Sequence, residues 1–242
     1  MIALVLGTFL IGAVILTYLN NQATTRDSED LSRIQENIRI ASEYLVRDVR
    51  NAAFRDEDVV LISHERAIRT AFARISDGAL RVRYAGQGHC AEAFTDIRLI
   101  ENEYSVNNAG ELVCVGRSVP RDTPVANTVE LQVNGADVDA SEAVVLATGI
   151  EGIAFEFICP AGQPNCGSCD AGGNCRCALA QTLEGRQDNP ACLGVRISPE
   201  FEGLRPMGGG TRETRSTELV ATFRNIILQR IIDGLEPPPV SE

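Results

Sequence analysis

Cysteine is the residue type in this chain whose number and spacing point most directly to chemistry. There are eight: Cys90, Cys114, Cys159, Cys166, Cys169, Cys175, Cys177 and Cys192. Within the stretch Cys159 to Cys177, Cys166-x-x-Cys169 and Cys175-x-Cys177 approach metal-ligand spacing. Structural zinc sites pair two such knuckles across a dozen or more residues. Here the second pair is too close and the gap too short. A thioredoxin-like redox motif would need a βαβ context, which the flanking sequence lacks. Disulfides in an oxidising compartment are therefore expected. Spacing does not dictate connectivity; the one pairing expected is Cys90 with Cys114, both outside the later cluster. His89-Cys90 brings two nucleophile-type residues together, but neighbours on a strand point to opposite faces, so no dyad is expected. Asp137-x-Asp139-x-Ser141-Glu142 has some calcium-loop character. It lacks the glycine and the length of an EF-hand loop and reads as a solvated loop. No glycine-rich phosphate loop follows a strand. No catalytic residue, metal or cofactor is expected, and the chain reads as a non-enzyme.

The element that must position everything else is N-terminal. Met1 to Leu19 is almost uninterrupted apolar sequence, and no charged side chain occurs before Arg26. As helix at about 1.5 Å per residue, such a run just reaches across roughly 30 Å of hydrocarbon. Beyond it Leu31, Ile34, Ile38, Ala41, Leu45, Val49 and Ala52 recur at intervals of three and four, one face of an α-helix. Arg33, Glu36, Arg39, Glu43, Arg47, Asp48 and Arg50 lie between them. No proline precedes Pro120, so one helix of roughly fifty residues is expected, with Asp27-Ser28-Glu29 the place where a break could fall. Leu31, Ile34, Ile38, Leu45 and Val49 are the expected packing positions. A cleavable signal peptide would carry a positive n-region and a small-residue cleavage site. Neither is present, so an uncleaved anchor is expected.

After Phe54 the periodicity changes. Val59 to Ile62 reads as a short strand and Ala67 to Ile75 as a short helix. Strands are expected at Ala79 to Tyr84, Thr128 to Val133, Ala143 to Leu146, Ile153 to Ile158 and Leu193 to Ile197. Ile97 to Val106 and Glu111 to Val115 flank Asn107-Asn-Ala-Gly110, a hairpin signal. The stretch Cys159 to Cys177 has almost no apolar content and reads as a loop that must be stapled. Glu218 to Ile232 fits helix and strand about equally, and its β-branched content favours strand. Residues 237–242 read as a disordered tail. The expected architecture is α+β: a long N-terminal helix packed on a mainly antiparallel sheet, with a disulfide-rich loop. Residues 1–26 form the membrane or filament half of the helix, 27–54 its packed half and 55–236 a β-rich domain containing the 159–192 cysteine-rich loop.

The chain has 242 residues and a net charge of −11, with all basic charge on arginine. A surface this acidic argues against binding nucleic acid or anionic lipid without a local positive patch.

Two stretches carry a family resemblance. Met1-Ile-Ala-Leu-Val-Leu-Gly7 resembles the later part of the type IV pilin N-terminal motif. Arg33-Ile-Gln-Glu-Asn-Ile-Arg-Ile-Ala-Ser-Glu-Tyr-Leu-Val-Arg-Asp-Val-Arg-Asn-Ala-Ala-Phe54 is similar to the helix signature of the PilW group of minor pilins. Fainter echoes are Gly149 to Phe157, similar to the family's central strand motif, and Thr222-Phe-Arg-Asn225, similar to its C-terminal strand. The resemblance does not cover the cysteine loop. It implies a pilin fold and a subunit held in the bacterial inner membrane with a periplasmic domain. It also implies later incorporation into an extracellular pilus. The implied role is a structural minor pilin that primes assembly at or near the tip. The implied partners are other minor and major pilins, with a possible tip adhesin. In pilins the leader, cleavage site and early glutamate would precede the position of Met1. A minor pseudopilin of a type II secretion system shares the helix and general fold and is the alternative. A membrane-anchored metal- or thiol-active domain using Cys159 to Cys177 is a further one.

Overall fold

The structure is a computed structural model that describes residues 2–55, 61–127, 129–159, 168–169, 175–177, 192–201 and 214–227. The side chains of residues 2–6, 8, 9, 23, 27, 30, 168 and 215 are outside this description. Helix α1 runs unbroken over Ile2–Asn51, 50 residues. Asp27-Ser28-Glu29 therefore does not interrupt it, and at 1.5 Å per residue it is roughly 75 Å long. Its two halves differ. From Leu10 to Glu29 every described residue except Gly12 is exposed, and Leu10 is 69% exposed. Burial then grows along the helix: Leu31, Ile34 and Ile38 are half-buried, while Ala41, Leu45, Val49 and Ala52 are in the core. Among the described residues no helix is long and apolar enough to cross a membrane. Of the apolar run Met1–Leu19, the side chains before Leu10, Gly7 apart, are outside the described residues.

Among the described residues the globular part contains α2 (Ile62–Thr70) and thirteen strands. They are β1 (Ala73–Ser76), β2 (Ala79–Gly88), β3 (Ala93–Val106), β4 (Glu111–Val119), β5 (Gln132–Val133), β6 (Ala136–Asp137) and β7 (Val144–Thr148), then β8 (Ile150–Ile158), β9 (Ser168–Cys169), β10 (Cys175–Cys177), β11 (Gly194–Phe201), β12 (Arg215–Ser216) and β13 (Leu219–Thr222). One seven-stranded sheet has the order β7-β4-β3-β2-β1-β10-β9. A second sheet joins β12, β11 and β13, with β8 also on β11. Every pairing is antiparallel. The fold is α+β, a long helix on mainly antiparallel sheet, as its sequence pattern implies.

There are four departures from expectation, and local turn chemistry explains two of them. The helix expected at Ala67 to Ile75 ends at Thr70, and Ala73–Ser76 is strand. Asp77 and Gly78 both have positive φ, 52° and 73°, between the paired Ser76 and Ala79. That is a two-residue hairpin turn whose twist matches the strands it joins, and it claims residues 73–76 for the sheet. Ile62, expected to end a strand, starts α2, while residues 56–60 are outside the described part. The strand expected over Thr128 to Val133 shrinks to β5. Asn127 Oδ1 accepts the N–H groups of Val129 and Glu130, which holds that segment in a turn. Of the stretch expected as strand from Glu218 to Ile232, Leu219–Thr222 is strand and 224–227 is a helical turn, and residues 228–232 are outside the described part. The Asn107 to Gly110 hairpin forms in the expected place, with Val106 opposite Leu112. Gly149, at φ 75°, lets the chain leave β7 in the first sheet and enter β8 in the second.

The core lies between α1 and the sheets. Leu45, Val49 and Ala52 pack with Phe72, Leu80, Val82, Tyr104, Val195, Ile197 and Phe223. Phe72 and Phe223 meet edge to face at 5.0 Å, the geometry that aromatic quadrupoles favour.

Candidate interaction site at the end of the long helix

Asp48 was read from the sequence as part of the polar face of α1. It is instead fully buried. It sits three residues after Leu45 and four before Ala52, inside the apolar stripe, and that spacing was the signal available in the sequence. Its carboxyl accepts a hydrogen bond from Tyr104 Oη at 2.5 Å and one from Asn102 Nδ2. Arg47 Nε donates to its other oxygen at 3.1 Å. Asn102 Nδ2 also donates to Tyr84 Oη, and Asn102 Oδ1 accepts the Cys90 N–H. Asn102 and Tyr104 are two apart on β3, and Val82 lies opposite Asn102 on β2. Side chains two apart on a strand share a face, here the one turned to α1. Burial, and then the Asp48 carboxyl beside them, push the Tyr84 and Tyr104 phenols above their ordinary range. Both stay protonated and able to donate. The cluster is a polar clamp between helix and sheet, with acceptor and donors matched.

The helix terminus is finished by a residue from the far end of the described chain. Asn225 Nδ2 lies 3.4, 3.3 and 3.1 Å from the carbonyls of Arg50, Asn51 and Ala52, which have no partner within the helix. Ala53 takes φ 63°, and its N–H donates to Arg83 O, after which Ala85 N–H donates to Phe54 O. The chain thus leaves the helix along β2. Phe223 enters the core while Arg224 stays exposed. The Arg33 to Phe54 and Thr222 to Asn225 stretches, far apart in sequence, meet here.

Two open grooves adjoin at this end. One, of about 620 Å³, lies between Arg47, Asn51, Phe54 and the stretch Gly86 to Ala93, which spans the end of β2, the β2–β3 connection and the start of β3. The other, of about 500 Å³, is lined by Ser42, Glu43, Val46, Arg47, Arg50, Asn51 and Arg224. Arg47 and Asn51 belong to both. The guanidinium of Arg47 lies 4.9 Å from the Tyr44 ring centroid. The β2–β3 wall is held by the Cys90–Cys114 disulfide and by His89, whose ring packs directly over Gly116, where a Cβ would collide with it.

The cysteines are structural. Cys90–Cys114, Cys169–Cys175 and Cys177–Cys192 are bridged. Cys159 is also disulfide-bonded, and Cys166 is outside the described residues. Among the described residues no cysteine is free and no group of His, Cys, Asp and Glu could hold a metal ion. The cysteine-rich stretch was expected to be loop that buries nothing. Its described parts correct that: β10 pairs with β1, Phe72 N–H donates to Cys177 O, and Cys177 and Cys192 are fully buried. His89 and Cys90 lie in the β2–β3 connection rather than on a strand. In the acidic stretch, Asp137 Oδ1 accepts from Gln132, and Ser141 Oγ accepts the Gly116 N–H. His64 is fully buried, with Nε2 2.6 Å from Thr123 O and Nδ1 without a partner.

No family model matches this chain, and no curated protein matches it.

Proposed function

We propose that this chain is a PilW-like minor pilin. In this reading it is a structural subunit of a type IV pilus that primes assembly and sits at or near the tip, where it contributes to adhesion. One observation carries the reading. A single 50-residue helix exposes its apolar side chains from Leu10 to Leu19 and packs its second half on a disulfide-stapled antiparallel sheet. A helix apolar on every side needs lipid or other helices around it. Transfer from the inner membrane into a filament exchanges one apolar environment for another, with little change in burial free energy. Its partners are other minor and major pilins through α1. The disulfides suit a domain that resides first in the periplasm and then outside the cell.

The test is fractionation of a piliated host expressing the tagged chain. It is expected in the inner membrane and in filaments sheared from the surface. Recovery only in the cytosol, or loss of Met1–Leu19 from the mature protein, overturns the reading. Co-purification with secretin-linked secretion components and not with pili would assign it instead to the minor pseudopilins of a type II secretion system.

A further inference from the structure

Three disulfides have both cysteines among the described residues, and they differ in burial. Cys177 and Cys192 are both fully buried, and fully buried Cys114 is bridged to half-buried Cys90. In the third, Cys169 is exposed and Cys175 half-buried. Exchange requires a thiolate to reach one sulfur of the bridge, so access selects which bridge reacts. The bridges differ also in what they hold. Cys169–Cys175 spans a sequence separation of 6, against 15 for Cys177–Cys192 and 24 for Cys90–Cys114. On the chain-entropy account the shortest loop restrains the unfolded chain least, so opening it costs the fold least. Cys169 stands directly opposite Cys175 across β9 and β10, at the end of the seven-stranded sheet. β10 does not depend on that bridge: it pairs with β1 from Ala73 to Ile75, and Cys177 fastens it to Cys192. β9 is different. It pairs with β10 only at Ser168 and Cys169, so the bridge is what holds it there.

We propose that Cys169–Cys175 is a thiol-exchange site, opened by an external dithiol while Cys90–Cys114 and Cys177–Cys192 keep the domain folded. A thiolate of the dithiol attacks Sγ of exposed Cys169. A bond forms between those two sulfurs, the Cys169–Cys175 bond breaks, and Cys175 leaves as a thiolate that takes a proton from water. The second thiolate of the dithiol then attacks its own sulfur in the mixed disulfide and expels Cys169, which is protonated in turn. Two electrons have passed from the dithiol to the bridge, and the dithiol departs as a disulfide. A monothiol stops after the first step and stays on Cys169. The bridge is the substrate of this exchange and catalyses nothing. Its opening frees β9, while β10 keeps Cys175 in place for the bridge to form again. The proposal does not depend on the reading of the chain as a pilin.

The experiment treats the full chain, in detergent micelles and without denaturant, with dithiothreitol. Thiols are trapped at intervals with N-ethylmaleimide and located by peptide mass spectrometry. Labels should appear at Cys169 and Cys175 about tenfold or more faster than at Cys90, Cys114, Cys177 and Cys192, with circular dichroism unchanged while they do. With reduced glutathione in place of the dithiol, the adduct should sit on Cys169. Equal labelling of all six cysteines, earlier labelling of either other pair, loss of circular dichroism with the first labels, or an adduct on Cys175 overturns the proposal. In the Cys169→Ser/Cys175→Ser chain the other four cysteines should label no faster than before. Faster labelling there would show that this bridge holds the domain together, and overturns the proposal as well.

Discussion

Asp48 does more to fix the helix on the domain than any other polar residue of α1. It gathers Asn102, Tyr104 and Arg47 around one buried carboxyl. Replacing it with alanine leaves the buried Tyr104 phenol without an acceptor and removes one of the two acceptors of the Asn102 amide, and should lower stability by about 2 kcal/mol. Denaturant unfolding measures this; a loss under about 0.5 kcal/mol would show that the clamp is dispensable. His64 makes a second prediction at this scale. Burial pushes its imidazole pKa down, with the Thr123 carbonyl acting the other way. The folded state therefore binds the proton less readily than the unfolded chain, whose histidine titrates near about 6.5. Stability is complete above that value and falls as pH drops through it towards the lowered folded value. His89 is shifted in the same direction, again first by burial, and adds to the slope. His64→Gln should flatten the dependence of unfolding free energy on pH below about 6.5. An unchanged slope would assign it to other groups.

At the scale of elements, the β2–β3 connection is shaped by its staple. Cys90–Cys114 closes 24 residues of sequence and ties the connection to β4. Replacing both cysteines with serine should cost about 3 kcal/mol, on the loop-entropy estimate. Limited proteolysis should then cut first near Gln87 to Glu92, and cleavage elsewhere would show that the wall stands without the bridge. Asn225→Ala removes the amide at the end of α1. It should destabilise by about 1 kcal/mol and speed hydrogen exchange in the last turn, while a truly idle cap would leave exchange unchanged. The elements most legible in the sequence were those with long periods: α1 itself, β2, β3 and β4 around Asn107, and β8. Two of those misread were settled by one or two residues of turn chemistry. Asp77-Gly78 turned an expected helix end into β1, and Asn127 folded an expected strand into a turn.

For the molecule as a whole, the division of α1 is the governing feature. Packing against the domain begins at Ile34, and the helix before Glu29 is exposed wherever it is described, Gly7 and Gly12 apart. A chain lacking residues 1–29 should therefore keep its unfolding midpoint within about 2 °C. A large fall in midpoint would mean that the first half of the helix also stabilises the domain. The charge ladder on the sheet acts at this scale too. Arg83 and Glu101 form a buried pair at 2.6 Å, and Arg117 and Arg81 meet Glu103 at 2.7 and 3.0 Å. Burial raises the Glu103 carboxyl pKa, but the two arginines outweigh it and hold it below its ordinary range. A buried pair of this kind adds little net stability, because desolvating both charges offsets their attraction.

Periodicity alone determined that the chain is a long helix on an antiparallel sheet, because hydrophobic spacing is a local property that survives without knowledge of partners. The packing stripe from Leu31 to Val49 and the need for disulfides were equally readable from spacing and composition. Only the tertiary structure decided that Asp48 belongs to the core, that Asn225 caps α1, and that Cys177 with Cys192 sits inside rather than on a loop. Those facts depend on which distant residues arrive at the same place. A carboxyl on a helix reads as solvated until the strand that supplies its donors is known.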